Sequence, residues 1–384
     1  MASAVFPWRG GNRFELLIDG ACFFPRMLEA IASAEARVEL ELYLLEDGAC
    51  AAALVQALAG AAQRGVRVRC LFDDFGSLGL GRPLRERLVG AGVELRLYNP
   101  LGWRRGLRNL FRDHRKLLVV DGRRAFVGGT GATDAFWNPA AAQDSWHEVM
   151  VDMAGPLVVD WQALFERQWL AYAGHVWRPR GALGLAQLPP SPPAGLGLGR
   201  VAYADAQEHR DIVQGLMRNL RRARQRIWLA TPYFLPTWKV RRALLKAARR
   251  GVEVRLLLTS RRTDHPPVRF AGQRYYPRLL RAGVRIFEYQ PRFLHLKMML
   301  VDDWVSVGSC NFDHWSLRWN LEANIEVLDP QFTSEVAESL LADFAASREI
   351  TLEDWRAQPL LKRFYQRLWG WLDRAVVNLL DKRR

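Results

Sequence analysis

The sequence predicts an α/β protein made of two similar domains related by a pseudo-twofold axis, each a mixed, largely parallel sheet flanked by helices. Three observations lead to this fold class. Short apolar strands alternate with helices in the N-terminal quarter of the chain, a His-x-Lys-x4-Asp motif stands in each half, and other short segments recur at an offset of about 180 to 190 residues. A chain of 384 residues is long enough for two domains with a core each.

The alternation begins near residue 28 and predicts neighbouring parallel strands, because parallel strands need a crossover connection that is usually a helix. Alternating apolar residues indicate strands, and apolar residues three and four apart indicate helices. The predicted helices are Leu28–Ala36, Ala49–Gln63 and Pro83–Gly90, and the predicted strands are Val38–Leu45, Val66–Phe72 and Val93–Tyr98.

The first motif, which contains His114 and Lys116, leads directly into the apolar run Leu117–Val120, which predicts a buried strand. Side chains alternate along a strand, so His114 and Lys116 are expected to project from the same face. Asp121 lies seven residues from His114, and this odd spacing points its side chain to the opposite face.

Asp121-Gly122 is a strong signal for a hairpin turn. The run Ala125–Val127 is the expected return strand, and it would bring the backbone N–H groups of Gly128 and Gly129 beside the motif histidine. An imidazole, an ammonium group and two small-residue amides are together suited to binding a phosphate.

The motif recurs as His295, Lys297 and Asp302, followed by Gly308-Ser309-Cys310-Asn311. Chance rarely produces two copies, because the 55 Lys and Arg residues are mostly arginine and yet lysine stands at both motif positions. The segment Arg64-Gly65-Val66 is likewise echoed by Arg250-Gly251-Val252. A near-constant offset indicates one ancestral unit used twice.

A formal net charge of +15 and a pI near 10.2 predict a polyanionic partner, either a nucleic acid or an anionic membrane, unless the surface is merely solvated. The four cysteines show no Cys-x-x-Cys pairing, which argues against a disulfide framework and suits a reducing compartment. No secretory signal is recognised after Met1, and no apolar run reaches the ~20 residues of a membrane span.

Two segments combine basic with large apolar residues. The segment Trp103–Arg112 is either a solvated loop or one that meets anionic head groups. The C-terminal segment predicts a basic amphipathic helix, which either lies in a membrane interface or docks on the protein's own core. Its apolar residues are Leu361, Phe364, Tyr365, Leu368, Leu372, Val376 and Leu379, and its basic residues are Lys362, Arg363, Arg367, Arg374, Lys382, Arg383 and Arg384.

The paired motifs suit metal-free cleavage of a phosphodiester. Such a reaction needs a neutral nucleophile, cations on the non-bridging oxygens and an acid at the departing oxygen. One histidine of a facing pair can attack phosphorus as neutral imidazole while the other, as imidazolium, protonates the leaving alcohol near neutral pH. No cluster of His, Cys, Asp and Glu has metal-ligand spacing, so neither a metal nor another cofactor is expected.

At these residues the chain resembles the phospholipase D superfamily, and within it the bacterial cardiolipin synthases without N-terminal transmembrane helices. The resemblance covers residues 35–349 and so most of both halves. Besides the motifs it rests on Glu41-Leu42-Tyr43, Arg64-Gly65-Val66, Thr231-Pro232-Tyr233-Phe234 and Asn320-Leu321-Glu322-Ala323-Asn324. It implies two phospholipase D-like domains whose histidines share one site.

The resemblance also implies roles for individual residues. Either His114 or His295 forms a phosphohistidine, the first motif supplying the usual nucleophile, and the other histidine is acid and base. A carboxylate downstream of each motif is expected to orient that motif's histidine. The expected carboxylates are Glu148 and Glu322, and the expected phosphoryl ligands are Lys116, Gly129, Lys297, Ser309 and Asn311. Asp121 and Asp302 complete the catalytic signature, although their face indicates a structural role.

Two departures from the family pattern affect the phosphate contacts. Gly131 stands where the family usually has Asn, so the first half lacks one phosphate donor. The second motif has five residues between Asp302 and Gly308 where six are usual, which predicts a tighter turn.

The favoured function is a phosphatidyltransferase that makes cardiolipin from phosphatidylglycerol and a second phospholipid through a phosphohistidine. A nuclease or other phosphodiesterase of the same fold and a non-catalytic module for anionic surfaces are the alternatives, and the intact motifs in both halves count against the module. The amphipathic tail and the segment Trp103–Arg112 favour lipid over nucleic acid, and no nucleic-acid-binding motif is recognised. Peripheral attachment to the cytoplasmic side of the cell membrane is expected. The acceptor, the second lipid and the oligomeric state stay open.

The expected boundaries are 1–177 and 200–350 for the domains, 178–199 for a Gly/Pro-rich linker and 351–384 for the C-terminal helix.

Overall fold

Two mixed sheets with helices packed on them form the framework of the protein, as seen in a computed structural model. The structure describes residues 6–138, 140, 145–171, 191–205, 209–313 and 316–381. The predicted α/β class is confirmed by this architecture.

The N-terminal half builds the first sheet. The strands of this half are β1 (Arg9–Ile18), β2 (Arg37–Leu42), β3 (Arg67–Asp73), β4 (Glu94–Tyr98), β5 (Arg112–Asp113), β6 (Leu117–Val120), β7 (Arg124–Gly128) and β8 (Val149–Ala154), of which β5 pairs with the second sheet instead. Its helices are α1 (Gly20–Ala32), α2 (Ala49–Gln63), α3 (Arg82–Gly90), the 3-10 helix Trp103–Leu110 and α4 (Val158–Ala171). The spatial order is β4-β3-β2-β6-β7-β8-β1. Strands β2, β3 and β4 are parallel as predicted, but the other neighbouring pairs in this order are antiparallel, so the sheet is mixed without being largely parallel.

The C-terminal half builds the second sheet. Its strands are β9 (Gly197–Asp205), β10 (His209–Arg210), β11 (Arg226–Thr231), β12 (Glu253–Thr259), β13 (Arg285–Tyr289), β14 (Met298–Val301), β15 (Trp304–Gly308), β16 (Asn320–Leu328) and β17 (Ser347–Ile350). Its helices are α5 (Asp211–Arg222), α6 (Trp238–Arg249), α7 (Pro266–Gln273), α8 (Tyr276–Leu280), α9 (Ser316–Trp319), α10 (Pro330–Ala345), α11 (Leu352–Arg356) and α12 (Leu360–Asp381).

The second sheet repeats the strand order of the first. It runs β13-β12-β11-β14-β15-β16-β9, with β17 added beyond β13, and β11, β12 and β13 are parallel. Strand β1 also pairs with β9, and β5 pairs with β16. The repeated sequence segments therefore occupy corresponding strands, and the ends of β8 and β16 come to lie beside the motifs.

One apolar core is shared between the two sheets. It contains the buried inner faces of β6 and β14, for example Leu117 and Met298, and it takes in Trp161 from α4 and Phe344 from α10. Two further cores lie under the outer helices, one beneath α1 and α2 and one beneath α6 and α8. Because the central core joins both halves, it holds the two motifs in a fixed relation.

The predicted elements agree with the structure at most positions. Helix α2 has the predicted bounds, and the turn at Asp121-Gly122 has positive φ at both residues, which a tight hairpin of this kind requires. Strand β2 ends at Leu42, earlier than expected, because Tyr43 leaves the sheet and packs its ring against His114. The first helix spans Gly20–Ala32 rather than Leu28–Ala36, so its predicted start was wrong.

The predicted linker and tail are only partly described. Residues 178–190 of the linker and the basic residues Lys382, Arg383 and Arg384 lie outside the described part of the chain, and β9 already begins at Gly197. In the tail, α11 and α12 form where one helix was predicted. None of the helices in the described ranges is long and apolar enough to cross a membrane.

Candidate active site

The two motifs meet where the halves join, and each is fastened to the opposite half through its backbone. The N–H of His114 donates to the carbonyl of Leu321 at 3.0 Å, and the N–H of His295 donates to the carbonyl of His147 at 2.8 Å. Both acceptors directly precede the two predicted carboxylates in sequence. The strand ends that carry those carboxylates are thereby drawn to the histidines of the other half.

The histidine–carboxylate pairs are therefore crossed between the halves. Nδ1 of His295 lies 2.6 Å from Oε2 of Glu148, and Nδ1 of His114 lies 3.1 Å from Oε2 of Glu322. The prediction that each carboxylate orients the histidine of its own half was wrong, because β16 lies beside β5 and the end of β8 bridges to Leu294. In both pairs the carboxylate contacts Nδ1, and Nε2 of His295 lies 3.1 Å from Nζ of Lys297.

Ser309 and Gly129 occupy corresponding positions in the two halves but differ in how they accommodate the carboxylates of Glu322 and Glu148. The Ser309 hydroxyl donates to Oε2 of Glu322 at 2.5 Å. Any side chain at Gly129 would collide with the carboxylate of Glu148, so the absent Cβ makes room for that group. In the structure Ser309 positions a carboxylate, and the predicted contacts of both residues with a phosphoryl oxygen stay predictions.

Both motif lysines are buried beside the histidines. Nζ of Lys116 donates to the carbonyl of His114 at 2.6 Å and lies 5.3 Å from the ring centroid of Tyr43. Nζ of Lys297 contacts the ring of His295 and lies 3.5 Å from Oε2 of Glu148. Burial lowers the pKa of Lys297 and, with Glu322 opposing, lowers that of Lys116 to about 7. In their charged forms the two lysines are suited to bind the non-bridging oxygens of an anionic phosphodiester, whose charge would in turn raise both pKa values.

Burial and the lysines hold both imidazoles neutral in the empty site. Burial lowers the pKa of His114 well below its usual value, and Lys116 and Lys297 lower it further. Burial, with Lys297, likewise lowers the pKa of His295 to about 4. The imidazolium that was predicted to act as acid near neutral pH is therefore disfavoured at both histidines without substrate. A bound phosphodiester anion would offset the lysines and raise the pKa of both imidazoles.

The two carboxylates differ in charge. Burial raises the pKa of Glu148, but Lys297 and His295 outweigh burial and the net shift is downward, so Glu148 is ionised. Burial raises the pKa of Glu322 to about 8, with Lys116 opposing, so Glu322 holds a proton at neutral pH. The pair of His114 with Glu322 is therefore neutral, and the pair of His295 with Glu148 carries a negative charge.

The motif aspartates are structural, as their spacing indicated. The carboxylate of Asp121 accepts three backbone N–H bonds of 2.8 to 2.9 Å from residues 35–37, ahead of β2. Asp302 accepts three of 2.9 to 3.0 Å from residues 224–226, ahead of β11. Although the signature counts them as catalytic, these contacts lie at the hairpin turns, away from the paired histidines.

Asn311 and Gly131 show how the halves have diverged. The side chain of Asn311 is buried, with Nδ2 lying 3.5 Å from Oγ of Ser316. At the corresponding Gly131 an added Cβ would meet the backbone of Leu44, so no asparagine fits there. The predicted loss of one polar side chain in the first half is explained by this close approach.

Sequence reasoning missed a buried charge network behind the pair of His295 and Glu148. Nδ1 of His147 lies 2.7 Å from Asp19 and its Nε2 lies 3.0 Å from Asp343, while Arg292 binds the other oxygen of Asp19. These partners raise the pKa of His147 to about 9 against the opposing effect of burial. The position of His147 directly before Glu148 was the one available sequence signal.

No metal-binding cluster is found in the part of the chain that the structure describes, where no three His, Cys, Asp or Glu side chains converge in a way that could hold an ion. The positive charge at the site comes instead from the two lysines. Metal independence stays a prediction, which an activity assay must test.

Comparison with known proteins identifies relatives over nearly the whole chain. The family described as "Cardiolipin synthase, PLD-like domain" matches residues 27–169 and 216–344. Cardiolipin synthase A of Pseudomonas entomophila (strain L48) is 34% identical over 370 residues, covering 94% of this chain and 74% of the relative. Cardiolipin synthase A of Pseudomonas aeruginosa (strain LESB58) is 36% identical over 367 residues, covering 94% and 73%.

Two solved structures share the fold. Phosphatidylserine synthase of Haemophilus influenzae Rd KW20 superposes with a TM-score of 0.75 at 14% identity, covering 98% of this chain and 96% of that one. Polyphosphate kinase of Porphyromonas gingivalis gives a TM-score of 0.59 at 16% identity, covering 93% of this chain and 53% of that one. At these identities the likeness concerns the fold alone.

Proposed function

Because the chain belongs to the cardiolipin synthase family with phospholipase D-like domains, we propose that it makes cardiolipin from phosphatidylglycerol and a second phospholipid by way of a phosphohistidine. The protein is a phosphatidyltransferase of this superfamily, an enzyme of phospholipid biosynthesis. The observation that carries the proposed route is the crossed pairing of two histidines with two carboxylates between two buried lysines.

The first step cleaves the donor lipid. The lysines bind the non-bridging oxygens, Nε2 of one imidazole forms a bond to phosphorus, and the bond from phosphorus to the head-group oxygen breaks. The departing alcohol takes its proton from the other histidine–carboxylate pair. If His114 is the nucleophile, the acid is His295, which takes up a proton from solvent when the substrate anion binds, because the ionised Glu148 stabilises its imidazolium. With the roles reversed, His114 would receive and pass on the proton that Glu322 holds.

We assign the nucleophile to His114, which the family resemblance supports. Its partner Glu322 is protonated without substrate, and burial with Lys116 and Lys297 outweighs the groups that raise the pKa of His114, so the ring stays neutral. His295, paired with an ionised carboxylate, is the better placed of the two to accept and return a proton.

The second step regenerates the enzyme. A hydroxyl oxygen of the acceptor attacks phosphorus, the phosphorus–nitrogen bond breaks, and the hydroxyl proton passes to the imidazole that acts as base. Phosphatidylglycerol as acceptor gives cardiolipin, whereas water gives phosphatidic acid. The balance between transfer and hydrolysis therefore depends on how the site holds the acceptor.

We propose that the protein works on the surface of an anionic membrane, on its cytoplasmic side. Trp103 is fully exposed on the 3-10 helix that precedes the first motif. Helix α12 packs on α7 through Gln366 and Asp373, which bond to Gln273 and Arg274. The helix exposes the apolar side chains Phe364, Leu368 and Trp371, and Tyr365, also exposed, stacks on Phe270 of α7. Both alternatives for the tail thus hold in part, since the helix docks and still presents an apolar face.

The test is a reconstituted reaction. Purified protein is incubated with phosphatidylglycerol vesicles, and cardiolipin and glycerol are expected to form in equal amounts. A His114→Ala, His295→Ala double variant is the control and should form neither. In a parallel reaction the same protein receives DNA at equal salt. Cleavage of DNA without any lipid product would refute the proposal in favour of the nuclease alternative.

A further inference from the structure

We propose that Asp19 is a positioning residue for the proton transfers: it fixes Glu148, and through Glu148 it holds the imidazole of His295 in place. The inference rests on the proposed function and adds a residue to it. Asp19 lies between β1 and α1, 128 residues before His147, and belongs to neither motif. Its side chain contacts the segment that carries Glu148.

Both backbone groups of Glu148 are bonded to Asp19. The N–H of Asp19 donates to the carbonyl of Glu148 at 2.8 Å, and the N–H of Glu148 donates to Oδ1 of Asp19 at 3.3 Å. The side chain of Glu148 then accepts the N–H of Val149 at Oε1, at 2.9 Å, and places Oε2 2.6 Å from Nδ1 of His295. The carboxylate is therefore restrained at both oxygens, and it orients the imidazole that it contacts.

The carboxylate of Asp19 also ties the second half to this segment. Oδ1 lies 2.7 Å from Nδ1 of His147, and Arg292 binds Oδ2. Arg292 stands three residues before His295 in sequence, and the N–H of His295 donates to the carbonyl of His147 at 2.8 Å. One carboxylate thus restrains both the strand end that carries Glu148 and the segment that enters the second motif.

The other catalytic pair has an alanine at the corresponding place. Ala204 of β9 lies opposite Glu322 in the antiparallel register, as Asp19 lies opposite Glu148 just beyond the end of β1. The methyl group of alanine can neither accept a hydrogen bond nor bind a cation. The restraint by a carboxylate is therefore a feature of the pair of His295 with Glu148, to which we assign the proton transfers.

The backbone of Asp19 also points to a function for its side chain. Its φ of 67° and ψ of 155° lie in a region that is essentially restricted to glycine, so the aspartate is strained. Such strain persists only where the surrounding structure over-determines the conformation. A glycine would suit this backbone, but it would lose the bonds that the carboxylate makes to His147, Glu148 and Arg292.

Loss of this carboxylate should impair protonation of the leaving group more than attack on phosphorus. In the first step the imidazolium of His295 gives its proton to the head-group oxygen as the bond from phosphorus to that oxygen breaks, and a misplaced imidazole does this slowly. The nucleophile His114 is paired instead with Glu322, to which Ser309 and Asn320 donate hydrogen bonds. Attack by His114 should therefore be preserved.

The experiment compares two donor lipids in the first turnover, each in vesicles and followed by rapid quench. Phosphatidylglycerol releases an alkoxide that needs a proton, whereas phosphatidyl-p-nitrophenol releases a phenolate that departs without one. A positioned acid contributes roughly 10²- to 10⁴-fold, so Asp19→Ala should slow glycerol release by about tenfold or more and p-nitrophenol release by less than about twofold. Asp19→Asn, which keeps an acceptor for the N–H of Glu148, should release glycerol at a rate between those of Asp19→Ala and wild type.

Asp160→Ala is the matched control, because Asp160 is a buried carboxylate of the same half that binds Arg9 through bonds of 2.6 and 2.8 Å. It should release both leaving groups at wild-type rates. Should Asp19→Ala fail to fold, Asp19→Asn is judged by the same comparison of the two lipids.

The ratio of the two losses decides between a positioning role and a structural one. Equal losses with both lipids, or no loss with either, would overturn the positioning role of Asp19. Wild-type protein that releases no glycerol from phosphatidylglycerol would refute the proposed function, whereas an active wild type with equal losses in Asp19→Ala would refute the role of Asp19 alone.

Discussion

His147 offers a sharp test of the buried charge network, because its replacement should change how stability depends on pH. The imidazole lies between Asp19 and Asp343 and stacks on Tyr289 with ring centroids 5.0 Å apart. The change is His147→Gln, which keeps a polar side chain of similar reach but cannot carry charge. Both carboxylates then lose their cation, although Arg292 still binds Asp19.

The magnitude follows from the pKa of His147, which is about 9 in the folded protein against an ordinary value of 6.5. A raised pKa means that the folded state holds the proton more tightly than the unfolded state. The resulting stability is therefore fully present below pH 6.5 and is lost as pH rises through about 9. At 1.36 kcal/mol for each unit, the loss is about 3 kcal/mol.

The assay is urea unfolding followed by tryptophan fluorescence at several pH values between 6.5 and 9.5. Wild type should lose about 3 kcal/mol more of its free energy of unfolding over this range than His147→Gln does, since all other titrating groups are common to both proteins. His265→Gln, at an exposed histidine, is the control and should follow wild type. Parallel curves for wild type and His147→Gln would refute the assignment of a buried imidazolium.

Four other outcomes are expected. His295→Asn should stop turnover and slow phosphoenzyme formation, because the leaving alcohol loses its acid, but the acid-labile phosphate that does form should be on His114 and should persist because the base of the second step is lost as well; a phosphoenzyme that still forms in His114→Asn would reverse the assignment of the nucleophile. Glu148→Gln should impair the function of His295 and not that of His114, so adding it to His295→Asn should lower phosphoenzyme formation less than threefold; a larger loss would contradict the crossed pairing. Turnover should survive EDTA, and strict dependence on a divalent ion would contradict the metal-free route. Removing residues 359–384 should weaken flotation with phosphatidylglycerol vesicles, where each basic residue near the surface contributes about 1 kcal/mol; unchanged flotation would exclude the tail as an anchor.

Local sequence signals were sufficient for much of the fold and for the reacting groups. The hairpin after the first motif was predictable, because Asp121-Gly122 favours a tight turn and the apolar segment that follows it can pair with the strand before it. The structural role of Asp121 was predictable as well, since an odd spacing places it on the face opposite His114. These inferences depend on neighbours in sequence, where backbone geometry leaves little freedom.

Features that depend on distant contacts were not predictable. Glu148 pairs with His295 because His147, directly before it, forms a β-bridge with Leu294. This contact joins segments that lie far apart in sequence. The pKa values of both catalytic imidazoles were misjudged for a similar reason, because the sequence does not reveal that Lys116 and Lys297 are buried in the same site. The docking of α12 on α7 depends on polar contacts of Gln366 and Asp373, which an apolar pattern does not show.

The crossed pairing explains why the two halves cannot act independently although they repeat the same strand order. A half on its own would keep its histidine and lysine but lose the carboxylate that holds the imidazole, because that group comes from the other copy. Once each half depends on the other, corresponding positions are free to diverge. Ser309 donates to Glu322 where Gly129 only makes room for Glu148, and Asn311 faces a cavity where Gly131 is packed against Leu44. Divergence of this kind lets one pair of groups serve the nucleophile and the other the proton transfers, which two identical halves could not do.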